Sequence, residues 1–178
     1  MERVYSQLLF TVCLLIGLLA GGCNTPPVAP PGEKVPAWTI YTTSNSLLTN
    51  NMINAITIDR AGSIWLATDD GVTKIAGRNL ETFTDPLEYT GPSGSSRKVS
   101  AISASGDGSI WFGLAGGGVR RFNPLSSIAT WTSYTVPSLR SNIALAIAVD
   151  VSLNVWVGTT SGVSRFLPST VTPAEGRW

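Results

Sequence analysis

The chain is 178 residues long, 13% charged and 43% apolar, with a formal net charge of +1 and no histidine. A soluble cytosolic domain usually carries about 25% charged residues, and a nucleic-acid binder shows a basic block that is missing here, so both classes are disfavoured. Without histidine the commonest general base and metal ligand are gone, and neither a cofactor nor a metal is expected.

The first element is apolar. The stretch LLFTVCLLIGLLA, from Leu8 to Ala20, follows MERVYSQ and leads through Gly21 and Gly22 to Cys23. Such a run is short for a membrane span and suits the core of a secretory signal. The small residues and the cysteine after them resemble the lipobox of bacterial lipoproteins, although Ala20 stands where that motif prefers leucine. The resemblance implies a signal peptide over residues 1–22, cleavage before Cys23 and a diacylglycerol on its thiol, so that the membrane is a partner through a lipid anchor. Asn24, in place of the aspartate that retains such proteins at the inner membrane, implies the outer membrane of the cell envelope. The residues by themselves leave two alternatives, an ordinary signal peptide and an uncleaved anchor. Cys13 lies in the segment to be removed, which leaves one mature cysteine and no disulfide. Residues 23–37 continue CNTPPVAPPGEKVPA, with prolines at 26, 27, 30, 31 and 36. That linker joins neither helix nor sheet and extends as polyproline at about 3.1 Å per residue, a tether of roughly 40 Å.

From Trp38 onward the chain repeats. AITIDRAGSIW (55–65), AISASGDGSIW (101–111) and AIAVDVSLNVW (146–156) place Trp65, Trp111 and Trp156 at a period of 45 or 46 residues, the signature of a solenoid, propeller or array. The units cover approximately 50–95, 96–140 and 141–178. INAITID, VSAISAS and ALAIAVD predict a first strand in each; IWLAT, IWFGL and VWVGT predict a second; VTKI, VRRF and VSRF predict a third. Asp70-Gly71, Gly117-Gly118 and Ser161-Gly162 supply the positive φ of the hairpins between second and third strands. A fourth strand opens on Phe83 in the first unit and on Trp131 in the second, and Trp178 takes the place of Trp131 in the third. Four antiparallel strands in about 45 residues make one propeller blade. The expected fold class is therefore all-β, with three blades forming an incomplete ring or arc over 38–178.

Ala55, Ala101 and Ala146 keep the first strands slim where blades converge, and each tryptophan is expected to be buried against the neighbouring blade. Leu153 stands where the other units have Gly62 and Gly108, and its resistance to positive φ is expected to shift that turn onto Asn154. AWTIYTT, at 37–43, has the outer-strand pattern with no inner strands before it. Familiar propellers have at least four blades. Either two chains form a homodimeric six-bladed ring by exchanging terminal strands, or the sequence is a fragment of a longer propeller.

The stretches ITIDRAGSIWLATDDGV and LNVWVGTTSGVSRF resemble the two-component regulator propeller repeat. Its pattern is a short strand, Asp, Gly, then Trp, a β-branched residue, Gly, Thr and a Gly-led third strand. The resemblance spans nearly everything from Trp38 to Leu167 and implies a periplasmic or surface sensory propeller, although the chain itself holds no transmitter, kinase or receiver segment. WD-type repeats share the period, but their Gly-His and Trp-Asp signatures are absent. Propeller lyases that inactivate streptogramins share the blade architecture and rely on a histidine that this chain lacks.

The reading that follows is a non-catalytic module that binds a glycan, small molecule or envelope protein. A structural subunit of an envelope complex is the alternative, and an enzyme a distant third. Blade-joining loops and second-to-third strand hairpins line one mouth of a propeller, which nominates Asn50, Asn51, Asp69, Asp70, Arg97, Lys98, Asn142, Thr160 and Ser161 as ligand contacts. Asp69 and Asp70, neighbours in a hairpin, are expected to point apart. Asp59 and Asp150 end strands, where their carboxylates satisfy the backbone N–H groups that follow. The basic pairs Arg97-Lys98 and Arg120-Arg121 are expected to be solvated.

Overall fold

A β-strand needs partners for its backbone groups, and each repeat supplies them locally, hairpin after hairpin. The computed structural model describes residues 38–84, 87–91, 94–124, 130–168 and 178. The expected signal peptide, Cys23 and the proline-rich tether lie outside these residues. The chain divides into Met1–Thr39 and Ile40–Trp178, and every strand of the described residues belongs to the second unit.

The first repeat folds as β1 (Ile53–Ile58), β2 (Ile64–Thr68), β3 (Gly71–Ala76) and β4 (Asn79–Phe83), an antiparallel meander. A two-stranded hairpin follows, β5 (Tyr89–Gly91) and β6 (Gly94–Ser96). The second repeat forms β7 (Val99–Ala104), β8 (Ile110–Leu114), β9 (Gly118–Asn123) and β10 (Thr130–Tyr134), again four-stranded. The third forms β11 (Ala144–Val149), β12 (Val155–Thr159) and β13 (Gly162–Phe166), three strands among the described residues. Trp178 packs on Phe166 and Tyr134 with ring centroids at 5.2 and 5.3 Å. Trp131 packs in the same way on Phe122 and Phe83, at 4.7 and 6.0 Å. Trp178 thus holds the place of a fourth-strand aromatic, as the sequence predicts. The three blades stand side by side through their first strands, with β7 between β1 and β11.

Strand register explains the repeated residues. The tryptophan of each second strand sits between a small first-strand residue and a third-strand cation: Thr57, Trp65, Lys74; Ser103, Trp111, Arg121; Ala148, Trp156, Arg165. Each cation lies over its indole, at 5.1, 5.4 and 5.2 Å from the centroid. The pleat turns alternate residues to the opposite, front face: Ile56, Ile58, Ile64, Leu66 and Ile75 in the first blade.

The tryptophan face of one blade packs on the front face of the next. Trp65 meets Phe112 and Phe122, both at 6.0 Å, in a core with Ile102 and Ile110. Trp111 meets Phe166 at 5.1 Å in a second core with Val155 and Val157. The connection entering each blade also seats a leucine, Leu48, Leu87 or Leu139, in the cluster against that blade's front face.

All three first strands carry a bulge, at Asn54, Ser100 and Leu145. A bulge re-aims a side chain, and here it clasps the next blade: Asn54 Nδ2 donates to the Val99 carbonyl at 2.9 Å, and Ser100 Oγ donates to the Ala144 carbonyl. Leu145 cannot do either.

Several expectations give way to the geometry. Phe83 closes β4 rather than opening it; it pairs with Val72 as Tyr134 pairs with Val119, so the counterpart of Trp131 is Leu80. Leu153 itself takes the positive φ, 65°, and the turn stays in place. Its N–H bonds the Asp150 carbonyl at 2.9 Å as Gly62 bonds Asp59, and the Asp150 carboxylate grips the Ser152 and Asn154 N–H groups. The two-residue loops of the first and third blades are Asp69-Asp70 and Thr160-Ser161, and the glycine after each carries the positive φ alone. Arg121 is not solvated: it is 5% exposed, with Nη2 at 2.8 Å from Asp107. Nor is Trp156 buried, because no blade of the described residues covers its face. Trp38 to Tyr41 form no strand, since an outer strand forms only on the edge of a third strand.

Candidate functional site

Asp69 and Asp70 fill the loop between β2 and β3, and Gly71 sets how they point. Its φ is 94°, and a Cβ there would meet the Phe83 carbonyl oxygen at 2.4 Å, so only glycine fits. Thr68 Oγ1 donates to the Gly71 carbonyl and accepts from the Asp70 N–H, at 2.9 and 3.0 Å. The carboxylates diverge as expected. Asp69 Oδ1 receives Lys98 Nζ and Asn54 Nδ2, both at 2.8 Å. Asp70 Oδ1 receives Arg97 Nε at 2.7 Å.

The second wall comes from the connection into the second blade. The Arg97 carbonyl accepts the Gly71 N–H at 2.9 Å, which fixes the arginine beside the hairpin. Its Nη1 lies 4.0 Å from Glu88. Ser96 Oγ accepts the Lys98 N–H at 3.2 Å, the same local turn that Asn50 makes with Met52 and Ser141 with Ile143. Together Asn50, Asp69, Asp70, Glu88, Ser96 and Arg97 line an open recess of about 400 Å³.

The electrostatics suit a polar occupant. The Lys98 ammonium, with Asn54 second, holds the Asp69 carboxyl below the usual aspartate range. Asp70 and Arg97 are each over a third exposed, and an ion pair so placed contributes about 0–1 kcal/mol. Its value lies in orientation. Among the described residues no three His, Cys, Asp or Glu side chains are grouped to hold a metal ion.

Of the nine nominated residues, the structure gathers Asn50, Asp69, Asp70 and Arg97 around the recess, with Lys98 bonded at its edge. Asn51 is turned away; its carboxamide accepts the Thr43 N–H at 2.9 Å and donates to Thr43 Oγ1 at 3.2 Å. Asn142 lies at the equivalent junction of the second and third blades, whereas Thr160 and Ser161 fill the β12–β13 loop of the third blade, the place that Asp69 and Asp70 take in the first. Asn142 Oδ1 accepts the Val136 N–H at 2.8 Å, Thr160 Oγ1 pairs with Ser141 Oγ at 3.0 Å, and the Ser161 N–H bonds Thr159 Oγ1 at 3.2 Å. Repeat equivalence puts Gly117 in the place of Asp70 and Asn142 in the place of Arg97, so that junction has no such ion pair.

Sequence reasoning missed Glu88 and Ser96. The available signal was spacing: 15 residues separate Phe83 from Val99, whereas nine separate Tyr134 from Ala144. Asp59 and Asp150 cap their turns as expected, and each also accepts an indole N–H, from Trp65 at 2.8 Å and Trp156 at 3.2 Å.

Repeated antiparallel meanders packed face to face define the β-propeller class of fold. Within it, residues 47–70 match the two component regulator propeller, a stretch that runs from the Leu48 connection through β1 and β2 to Asp70. The chain is similar to the solved extracellular domain of the putative hybrid two component system BT3049 from B. thetaiotaomicron, at 23% identity and a TM-score of 0.53, over 70% of this chain and 19% of that one. It is also similar to the extracellular domain of the putative one component system BT4673 from B. thetaiotaomicron, at 19% identity and a TM-score of 0.54, over 72% of this chain and 19% of that one. The chain therefore spans about a fifth of the length of each. A weaker likeness, with a TM-score of 0.44 at 16% identity over 65% of this chain and 41% of the other, is to virginiamycin B lyase from Staphylococcus aureus. No curated protein matches the chain in sequence.

Proposed function

We propose that the chain is a non-catalytic binding module of an extracytoplasmic sensory propeller, tethered to the cell envelope by a lipid on Cys23. Its recess between the first two blades takes a hydroxyl-rich ligand of the glycan class. The observation that carries this reading is the half-exposed Asp70–Arg97 pair, flanked by Asn50 and Glu88. A planar guanidinium, a carboxylate and a carboxamide lining one recess offer both donors and acceptors to hydroxyl groups. Exchanging part of a weak ion pair for such hydroxyls costs little. The solved extracellular domains named above, of putative two-component and one-component systems, support a sensory setting.

A glycan array probed with the full chain tests the recess. Binding is expected to fall at least tenfold in Asp70→Ala and in Arg97→Ala and to persist in Asn142→Ala. An array with no hits, or binding indifferent to Asp70 and Arg97, would refute it.

A further inference from the structure

Two sheet faces are built as blade interfaces but are covered by nothing among the described residues. One is the tryptophan face of the third blade, with Ala146, Ala148, Trp156 and Val163. The other is the front face of the first blade, with Ile56, Ile58 and Ile64. We propose that they cover each other between two copies of the chain, packed head to tail.

Exposure at equivalent positions shows what is missing. Trp65 and Trp111 are 0% and 2% exposed, and Trp156 is 40%; Val72 and Val119 are both 0%, and Val163 is 64%. On the front faces Ile102 and Ile110 are 7% and 0% exposed, and their counterparts Ile56 and Ile64 are 61% and 37%. Contiguous exposed apolar surface of this kind marks an interaction site.

Glycine gives an independent sign. At Gly113, inside the interface of the second and third blades, a Cβ would meet Ala144 at 3.0 Å and Ile147 at 3.3 Å, and the first blade has nothing larger than the fully buried Ala67 at this position, so a blade interface leaves room for at most a methyl group there. Gly158 is the same position in the third blade, yet a Cβ there would meet nothing nearer than Ala146 of its own sheet, at 3.7 Å. A glycine in mid-strand weakens the strand and marks the close approach of another backbone. Within this chain no such approach to Gly158 occurs among the described residues.

The receiving face is already set as an internal one. Leu48 is seated on it as Leu139 is seated on the third blade, and the Thr49 N–H bonds Thr73 Oγ1 at 3.1 Å as the Arg140 N–H bonds Ser164 Oγ at 3.1 Å. At the docking face Leu145 and Ala148 replace the polar clasps Asn54 and Thr57, which makes the contact between copies drier than those within the chain. One chain carries both complementary faces, and a head-to-tail contact closes when its rotation does. Two copies of three blades make six, inside the range of four to eight that propellers use.

The test uses the full chain, extracted in mild detergent. Sedimentation is expected to give a dimer. At the internal interface Thr57 Oγ1 accepts the Ala104 N–H at 3.2 Å, so residue 148 of one copy meets residue 58 of the next. Chains with Ala148→Cys mixed with chains carrying Ile58→Cys are expected to give an oxidised dimer whose 148–58 link is read by peptide mapping. Gly158→Val has room within the chain, so it is expected to keep the circular dichroism spectrum and weaken dimerisation at least tenfold. A monomer at micromolar concentration, a 148–148 link in its place, or an undiminished Gly158→Val dimer each overturns the proposal.

Discussion

Replacing Trp111 by alanine tests whether the blades stabilise one another. The indole is 2% exposed and stacks on Tyr134 at 5.5 Å with 20° between ring planes. Phe166 lies at 5.1 Å and Trp178 at 6.4 Å on the blade that follows. An indole burying about 150–250 Å² loses about 4–6 kcal/mol of transfer free energy at about 25 cal/mol per Å². Partial collapse recovers some of this, which leaves about 3–5 kcal/mol for Trp111→Ala. Trp156 has Ala148 and Arg165 beside it in its own sheet, but among the described residues neither a fourth-strand ring nor a facing blade covers it, and Trp156→Ala is expected to cost about 1–2 kcal/mol. Urea unfolding followed by far-ultraviolet circular dichroism, on the full chain diluted to monomer, measures both. With a slope of about 2 kcal/mol per molar urea, the midpoint falls by about 2 M at Trp111 and by about 0.5–1 M at Trp156. Equal losses at the two positions would refute the account of one-sided blade packing.

Gly71→Ala forces a Cβ against the Phe83 carbonyl and is expected to cost about 3 kcal/mol in the same assay. Gly62→Ala, with positive φ but nothing within 4 Å, costs about 1 kcal/mol. Burial pushes the Asp107 carboxyl up, but the hydrogen bonds of Ser109 and the Arg121 charge bring it below the ordinary range; Asp59 and Asp69 are also lowered. A carboxyl with a folded pKa below its unfolded value stabilises above about pH 4, and that contribution fades as pH falls through the folded value. Urea midpoints are therefore expected to hold from about pH 7 to 5 and to drop below about pH 4, with a shallower drop in Asp107→Asn. Labelled palmitate is expected to enter the chain and to be lost, with membrane association, in Cys23→Ser; labelling that survives the substitution removes the lipid anchor.

The period, the strands and the tryptophans were legible because each is a local pattern imposed by the pleat and by tight turns. The three bulges were not, because an extra residue in a first strand leaves no mark on alternation until its partner strand is in place. Leu153 misled for a similar reason: its resistance to positive φ is local, and the Asp150 carboxylate that holds the turn is fixed by the repeat frame. Arg121 looked solvated beside Arg120, yet a strand sends neighbours to opposite faces, and only the facing blade shows which one is buried. The recess was half legible. Position in the hairpin nominated Asp69 and Asp70, whereas Glu88 arrives with the β5–β6 insertion, outside the repeat, and Ser96 shares only its local turn, not its residue type, with Asn50.

That hairpin rests on its neighbour in a particular way. The loop between β8 and β9 has three residues, Ala115 to Gly117, and a Cβ at Gly117 would strike the Tyr89 ring at 2.5 Å. Gly116 and Gly117 are thus a bare floor on which Tyr89 lies, while the hydrogen-bonded frames of the first two blades run on without a strand from β5 or β6. Around that hairpin the core needs Leu87 and the first blade needs the Arg97 carbonyl, whereas a change at Glu88 or Ser96 alters the lining of the recess without touching a hydrogen bond of either blade's sheet. A side chain gained at position 117 would evict Tyr89, so the bare loop of the second blade sets where the wall of the recess can stand.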